Sequence, residues 1–261
     1  MPSVPRTARE RARAEITAEI LQAGRRHLAT DGAAGLSLRA IARELGMASS
    51  AVYRYVASRD DLLTRLIIDA YNSLGAAAEA AEARSARDDL AGRWAAVCQA
   101  VRSWALRNPN EYALVYGSPV PGYVAPADTI GPASRVSNLL VQIMLDATDR
   151  GIAGAGDGGA GGGGAANGRA AGGGAAPGGG AVAGWQAALA PLRAALPRPV
   201  PDSVVQASLM AWVGLFGIVS FELFGQFTNV IAEGPGDRDA FFARCVAEWA
   251  DQLGIGTANG G

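Results

Sequence analysis

Residues 36–63 read LSLRAIARELGMASSAVYRYVASRDDLL, and the fold class follows from how this stretch is spaced. Leu38, Ile41, Ala42 and Leu45 recur at i, i+3, i+4 and i+7, which gathers them on one face of a short helix. Ser37 stands where an N-cap accepts a backbone N–H, and Gly46 supplies the positive φ at which the chain leaves the helix after two turns. A second short helix is expected over residues 48–56, with Val52 and Val56 turned inward and Ser49, Ser50, Tyr53 and Arg54 outward. The small Ala42 lets the two helices cross closely. Two short helices joined steeply through a Gly turn make a helix-turn-helix, whose second helix enters the DNA major groove. Ser49, Ser50, Tyr53 and Arg54 then lie near bases or phosphates, with Arg39 and Arg43 behind them. The competing reading is a hairpin of some other all-α domain whose polar face is only solvated.

The segment from Ile16 to Leu63, with SLRAIA, ELGMASSAVYRY and SRDDLL in order, resembles the N-terminal domain of the TetR family of transcriptional regulators. That resemblance implies an all-α protein with an N-terminal helix-turn-helix DNA-binding domain and a C-terminal helical ligand-binding and dimerisation domain. It also implies that Tyr53 and Arg59 hold phosphates while Ser49 and Ser50 lie in the groove. Ser37, Arg39, Ala48 and Arg54 complete the expected DNA-binding set. Three positions depart from the family pattern: Val56 replaces Phe, Ala57 replaces Pro and Arg59 replaces Lys. The smaller Val56 has to be packed against by a neighbour.

Charge is distributed unevenly along the 261 residues. The chain has no Lys, and residues 1–59 hold ten Arg against five acids, whereas residues 60–261 hold thirteen Arg against nineteen acids. A basic front on an acidic remainder is the electrostatic footprint of a DNA-binding head on a body with another task. Cys98 and Cys245 stand singly and there is only one His, so neither a disulfide framework nor a metal site is expected, and no cofactor. The same inventory is thin for acid–base catalysis, and no enzyme is expected. The charged N-terminus lacks the apolar run of a signal peptide, and the longest apolar run, residues 207–221, is short for a bilayer span; the expected location is the cytoplasm, with no membrane partner.

In chain order, residues 1–12 are expected to form a flexible basic arm and residues 13–60 the DNA-binding domain. A first helix covers residues 13–30, ended by Asp31-Gly32, and places His27 as a partly buried packing residue. Ser58 caps a fourth helix that connects head to body. Residues 61–253 form the effector and dimerisation body, with helices near 90–108, 110–116, 130–150, 185–195, 202–231 and 239–253 and a tail over 254–261. Asp202 or Ser203 is expected to cap the helix over 202–231. Within the body, residues 151–184 hold seventeen Gly and almost no large side chains, the composition of a disordered insertion; its GAGDGG has no strand before it and carries no dinucleotide reading.

The WVGLFG and SFELFG repeats at 212–225 resemble the WHG-type effector domain of one branch of TetR-like regulators, although the usual His is Phe216 here. The branch implies a homodimeric repressor released from a palindromic operator by a small apolar molecule. A pocket is expected within the body, lined by Trp94, Val97, Trp104, Tyr112, Tyr116, Val136, Leu140, Met144 and Trp212, although an aromatic stripe at helical spacing also suits a plain core. The helix over 202–231 is apolar nearly all round, so one side needs a partner; with the helix over 239–253 it is expected to form half of a four-helix bundle between subunits. Glu222, alone in that apolar helix, is expected either to anchor a ligand or to pair with an Arg across the dimer, and the second reading is favoured. The expected partners are thus double-stranded operator DNA, a small molecule and a second copy. A helical adaptor that binds protein and not DNA is the alternative.

Overall fold

The computed structural model describes residues 7–152, 187–232, 234 and 236–256, and the regular structure among them is helical, with no strand. Helix α1 spans Ala8–Gly35. Its start is a capping box: Thr7 Oγ1 accepts from the Glu10 N–H while Glu10 accepts from the Thr7 N–H. Residues 8–12 therefore continue the helix, and the arm expected over residues 1–12 is corrected to helix from Ala8. Of that arm, residues 1–6 fall outside the described residues. Gly32, at φ 68°, breaks the helical path where Asp31-Gly32 was expected to do so.

Helices α2 (Leu38–Glu44) and α3 (Ser49–Val52) follow, then α4 (Arg59–Glu82), capped by Ser58 through a 3.0 Å bond from the Asp61 N–H. Twelve buried side chains close the head core, among them Ile20, Ile41, Val52 and Leu62. Val56 is fully buried with them, so its smaller side chain is accommodated. Gly24 explains how α1 and α4 approach so closely: a Cβ there would stand 3.3 Å from Leu62.

Helix α4 belongs to both halves. Leu62, Leu63 and Leu66 lie in the head core, while Ala70, Leu74 and Ala78 lie in the body core. Body helices α5 (Leu90–Arg107) and α6 (Pro109–Tyr116) pack on α4. A short 3₁₀ turn (Ala127–Thr129), α7 (Ile130–Ala133) and α8 (Arg135–Asp149) come next, so the single helix expected over 130–150 is divided at Ser134. The expected insertion over 151–184 and the start of the helix near 185 fall largely outside the described residues. The chain resumes before α9 (Ala190–Ala195).

Helix α10 spans Asp202–Leu223 with Pro201 at its N-cap position and no side-chain cap bond, so neither Asp202 nor Ser203 caps it as expected. The helix expected to reach Ile231 stops eight residues earlier, because successive turns and Gly225 at φ 79° bend the chain away. At 22 residues α10 has the length and apolar composition of a membrane span, contrary to expectation, yet Val204, Ala211, Leu215 and Val219 are buried against this chain's own body. Helix α11 spans Asp237–Gln252 and crosses α10 where Gly214 leaves room for Trp249. Beyond it Ile255 is buried in the body core, so the tail expected from 254 is corrected there, and residues 257–261 lie outside the described residues.

Candidate nucleic-acid interface and effector cavity

The helix-turn-helix is built from inside outward. Ala42 and Val52 are fully buried where α2 and α3 cross, and Gly46 makes the turn at φ 64°, a conformation that costs an L side chain about 1 kcal/mol or more. Helix α3 is shorter than expected, and the chain continues through a turn in which the Tyr55 and Val56 N–H groups donate to the Val52 carbonyl. That turn carries Tyr53 and Arg54 on the same outer side as Ala48, Ser49 and Ser50, all exposed, with Tyr53 47% accessible. Arg39, Arg43 and Arg54 are exposed and have no side-chain partner among the described residues.

Two expected residues have tasks inside the head. Ser37 caps α2 by accepting from the Ala40 N–H, and one Arg59 nitrogen donates to the Ala33 carbonyl at 2.8 Å, meeting an otherwise open carbonyl at the end of α1. Arg13, which spacing did not single out, donates to the Arg54 carbonyl at 2.7 Å while its guanidinium lies 5.4 Å from the Tyr55 ring centre. It holds the exposed turn from behind, and no sequence period announces a contact forty-one residues away. His27 links Asp31 and Glu44, and the bond from Arg26 leads the causes that lower the Glu44 carboxyl below its ordinary range.

The expected pocket does not assemble. Trp94 donates its indole N–H to the Val246 carbonyl at 3.1 Å, and Trp104 donates to Ser73 at 2.9 Å. The Tyr112 hydroxyl meets the Phe216 carbonyl and Ser220, and burial pushes its pKa up to about 12. Val97 and Val136 are buried core, and Tyr116 stacks on Phe216 at 4.4 Å. These six contact neighbouring helices and do not border the cavity that the other three line, and Trp94 borders a separate one against α11. Leu140, Met144 and Trp212 do converge, lining a cavity of about 240 Å³ between α8, α9 and α10. Reasoning from sequence missed Leu192, Leu196 and Val200, because nothing local says that the chain after the Gly-rich segment returns to α8.

Glu222 requires a second correction. It pairs within its own chain: Arg102 Nε and Nη2 donate to it at 2.6 and 2.7 Å, and Arg102 Nη1 reaches Asp239 at 2.6 Å. Arg102 thereby ties α5 to α10 and α11. On the outer side of these helices Met210, Val213, Phe221, Phe224 and Phe241 stand exposed.

Comparison with known proteins agrees with this architecture. Residues 20–66 match the family described as bacterial regulatory proteins, tetR family, and residues 94–249 match the tetracyclin repressor-like C-terminal domain. The chain is 42% identical over 229 residues to the HTH-type transcriptional regulator Rv1816 of Mycobacterium tuberculosis, covering 87% of this chain and 89% of that protein. Mb1846 of Mycobacterium bovis shares the same identity and coverage. The crystal structure of regulatory protein SCO4313 has 34% identity and a TM-score of 0.69, covering 94% of this chain and all of that one. The TetR family regulator PfmR from Thermus thermophilus is alike in fold, with a TM-score of 0.51 at 16% identity over 92% of this chain and 99% of that one. Head, connector and body together define a helix-turn-helix transcriptional regulator. The chain belongs to the TetR family.

Proposed function

We propose that this regulator is a cytoplasmic homodimeric repressor that holds a palindromic DNA operator and is released by a small apolar molecule entering the body. The observation that carries the reading is the exposed set Ala48, Ser49, Ser50, Tyr53 and Arg54, raised on one side of a fully packed head. Ser49 and Ser50 meet base edges, Tyr53 and Arg54 meet phosphates, and Arg39 and Arg43 add charge at the flanks. Phosphate contacts set register and base contacts set sequence. One head reads only a half-site, so two are needed, about 34–36 Å apart or a multiple of that. The apolar side chains left open on α10 and α11 supply the surface for the second copy, consistent with the expected bundle. The molecule in the cavity acts by favouring a head spacing that the operator does not.

The test is selection of bound fragments from the source genome with purified protein, then titration of the recovered site at several salt concentrations. The expected result is a two-fold symmetric site whose affinity falls steeply with salt. Sequence-indifferent binding would sink the repressor reading and favour a protein-binding adaptor.

A further inference from the structure

The cavity's lining restricts the chemistry of its occupant more narrowly than size does, an inference that rests on the body being an effector site. Leu140, Met144 and Leu145 of α8 face Val204, Val205 and Leu209 of α10, and none of the lining side chains is ionisable. Its two hydroxyls already donate elsewhere: Ser208 to the Val204 carbonyl at 2.7 Å and Ser137 to the Ser134 carbonyl at 2.9 Å. They keep only lone pairs to offer. The Trp212 indole N–H is the remaining polar donor of the lining, and it has no partner among the described residues.

Beside the cavity, on the segment that supplies Leu196 and Val200, stand Arg193 and Arg198. Arg193 lies 2.6 Å from Asp202 and Arg198 2.6 Å from Asp149, while the Arg193 Nε is buried without a hydrogen-bond partner. Neither guanidinium lines the cavity itself, so inside it an anionic head group would meet no cation and a cation would meet no carboxylate. Moving an unpaired ion out of water is strongly unfavourable, whereas one neutral hydroxyl finds a lone pair or an N–H. Water is poorly held there too, since it needs two to four polar partners.

We propose that the cavity takes an uncharged, hydrocarbon-rich molecule with a single hydroxyl-like polar group and rejects the ionised forms of the same skeleton. Its volume of about 240 Å³ corresponds to roughly eight carbon-sized groups, taking about 30 Å³ per water as the yardstick. An aliphatic alcohol of medium length satisfies both limits.

The experiment titrates heptanol, heptanoate and heptylammonium into the full chain near neutral pH, by calorimetry and by shift of the melting temperature. Heptanol is expected to bind and raise Tm, with both ions at least about tenfold weaker, and shortening the chain to pentanol is expected to cost roughly fifteenfold, at about fourfold per buried methylene. Ser208→Phe, which fills the cavity, is expected to abolish heptanol binding; Leu209→Phe gives the same readout if the first variant does not fold. Either ion binding as tightly as the alcohol overturns the proposal. So does absence of heptanol binding, or binding that survives both filled variants. Heptanol that binds in the cavity yet leaves the operator complex intact supports the cavity's chemistry and overturns the effector reading.

Discussion

Head and body share α4 but bury their cores in opposite ways. In the head, short aliphatic side chains at regular spacing close around Ala42 and Val52, and the polar links are mostly at the surface, such as Arg26 with Glu44. In the body, large aromatics interlock through Tyr112, Tyr116 and Phe216, and an Arg–Glu pair lies inside, with Arg102 and Glu222 side chains only 4% and 7% exposed. The head presents an outer face over its buried cluster, whereas the body leaves a void. A presenting surface and a responding interior ask for different packing.

The comparison breaks most sharply at the internal ion pair. Arg102→Ala leaves Glu222 as an uncompensated buried charge, and urea unfolding should show a loss of about 3–5 kcal/mol. Tyr53→Ala with Arg54→Ala should do the converse in the head. Operator affinity should fall roughly a hundredfold or more, with the unfolding midpoint unchanged, because both side chains are exposed. Equal damage to stability would mean that the head's outer face is structural.

Glycine positions give the next contrast. Gly214→Ala places a Cβ 2.7 Å from the Trp249 ring, and overpacking of that kind costs about 1–3 kcal/mol. Gly46→Ala meets no atom within 4 Å, so its cost, about 1 kcal/mol, comes from the positive φ alone. Thermal melts of the two variants distinguish packing strain in the body from backbone strain in the head.

The smallest effect is a pH dependence common to both halves. Hydrogen bonds from Arg26 and Arg135 are the first causes lowering Glu44 and Glu79 below the ordinary 4.5. A lowered folded-state pKa contributes stability that is present above the unfolded value and lost as pH falls through the folded one. Acid titration of stability should therefore decline below pH 4.5, and the decline should be shallower in Arg26→Ala and in Arg135→Ala. Asp69 opposes it, since burial outweighs Arg25 and raises its pKa, so protonation there relieves a penalty on acidification. An unchanged profile in both variants would show that these surface pairs do not hold the helices.

The head was legible because its determinants are local. Spacing over ten residues placed Ala42, Gly46 and Val52 and, with them, which side chains face out. Arg59 and Arg13 show the limit: their guanidiniums reach carbonyls twenty-six and forty-one residues away, which no period encodes. In the body, the helices were legible to within a few residues, except where Ser134 divides α7 from α8 and where turns end α10 early at Leu223. The pocket was not legible, because an aromatic at helical spacing reads the same whether its neighbour is a ligand or another helix.

The sequence by itself determined the helical class, the helix-turn-helix, the connector and the charge of the two halves, since each depends on residue type and period along a few turns. Only the tertiary structure decided that Glu222 answers Arg102 in its own chain, that three of the nine expected pocket residues share one cavity, and that Leu192, Leu196 and Val200 close it over α8. Those outcomes depend on which distant helices meet, and long-range packing is set by the sum of many contacts, not by any one stretch.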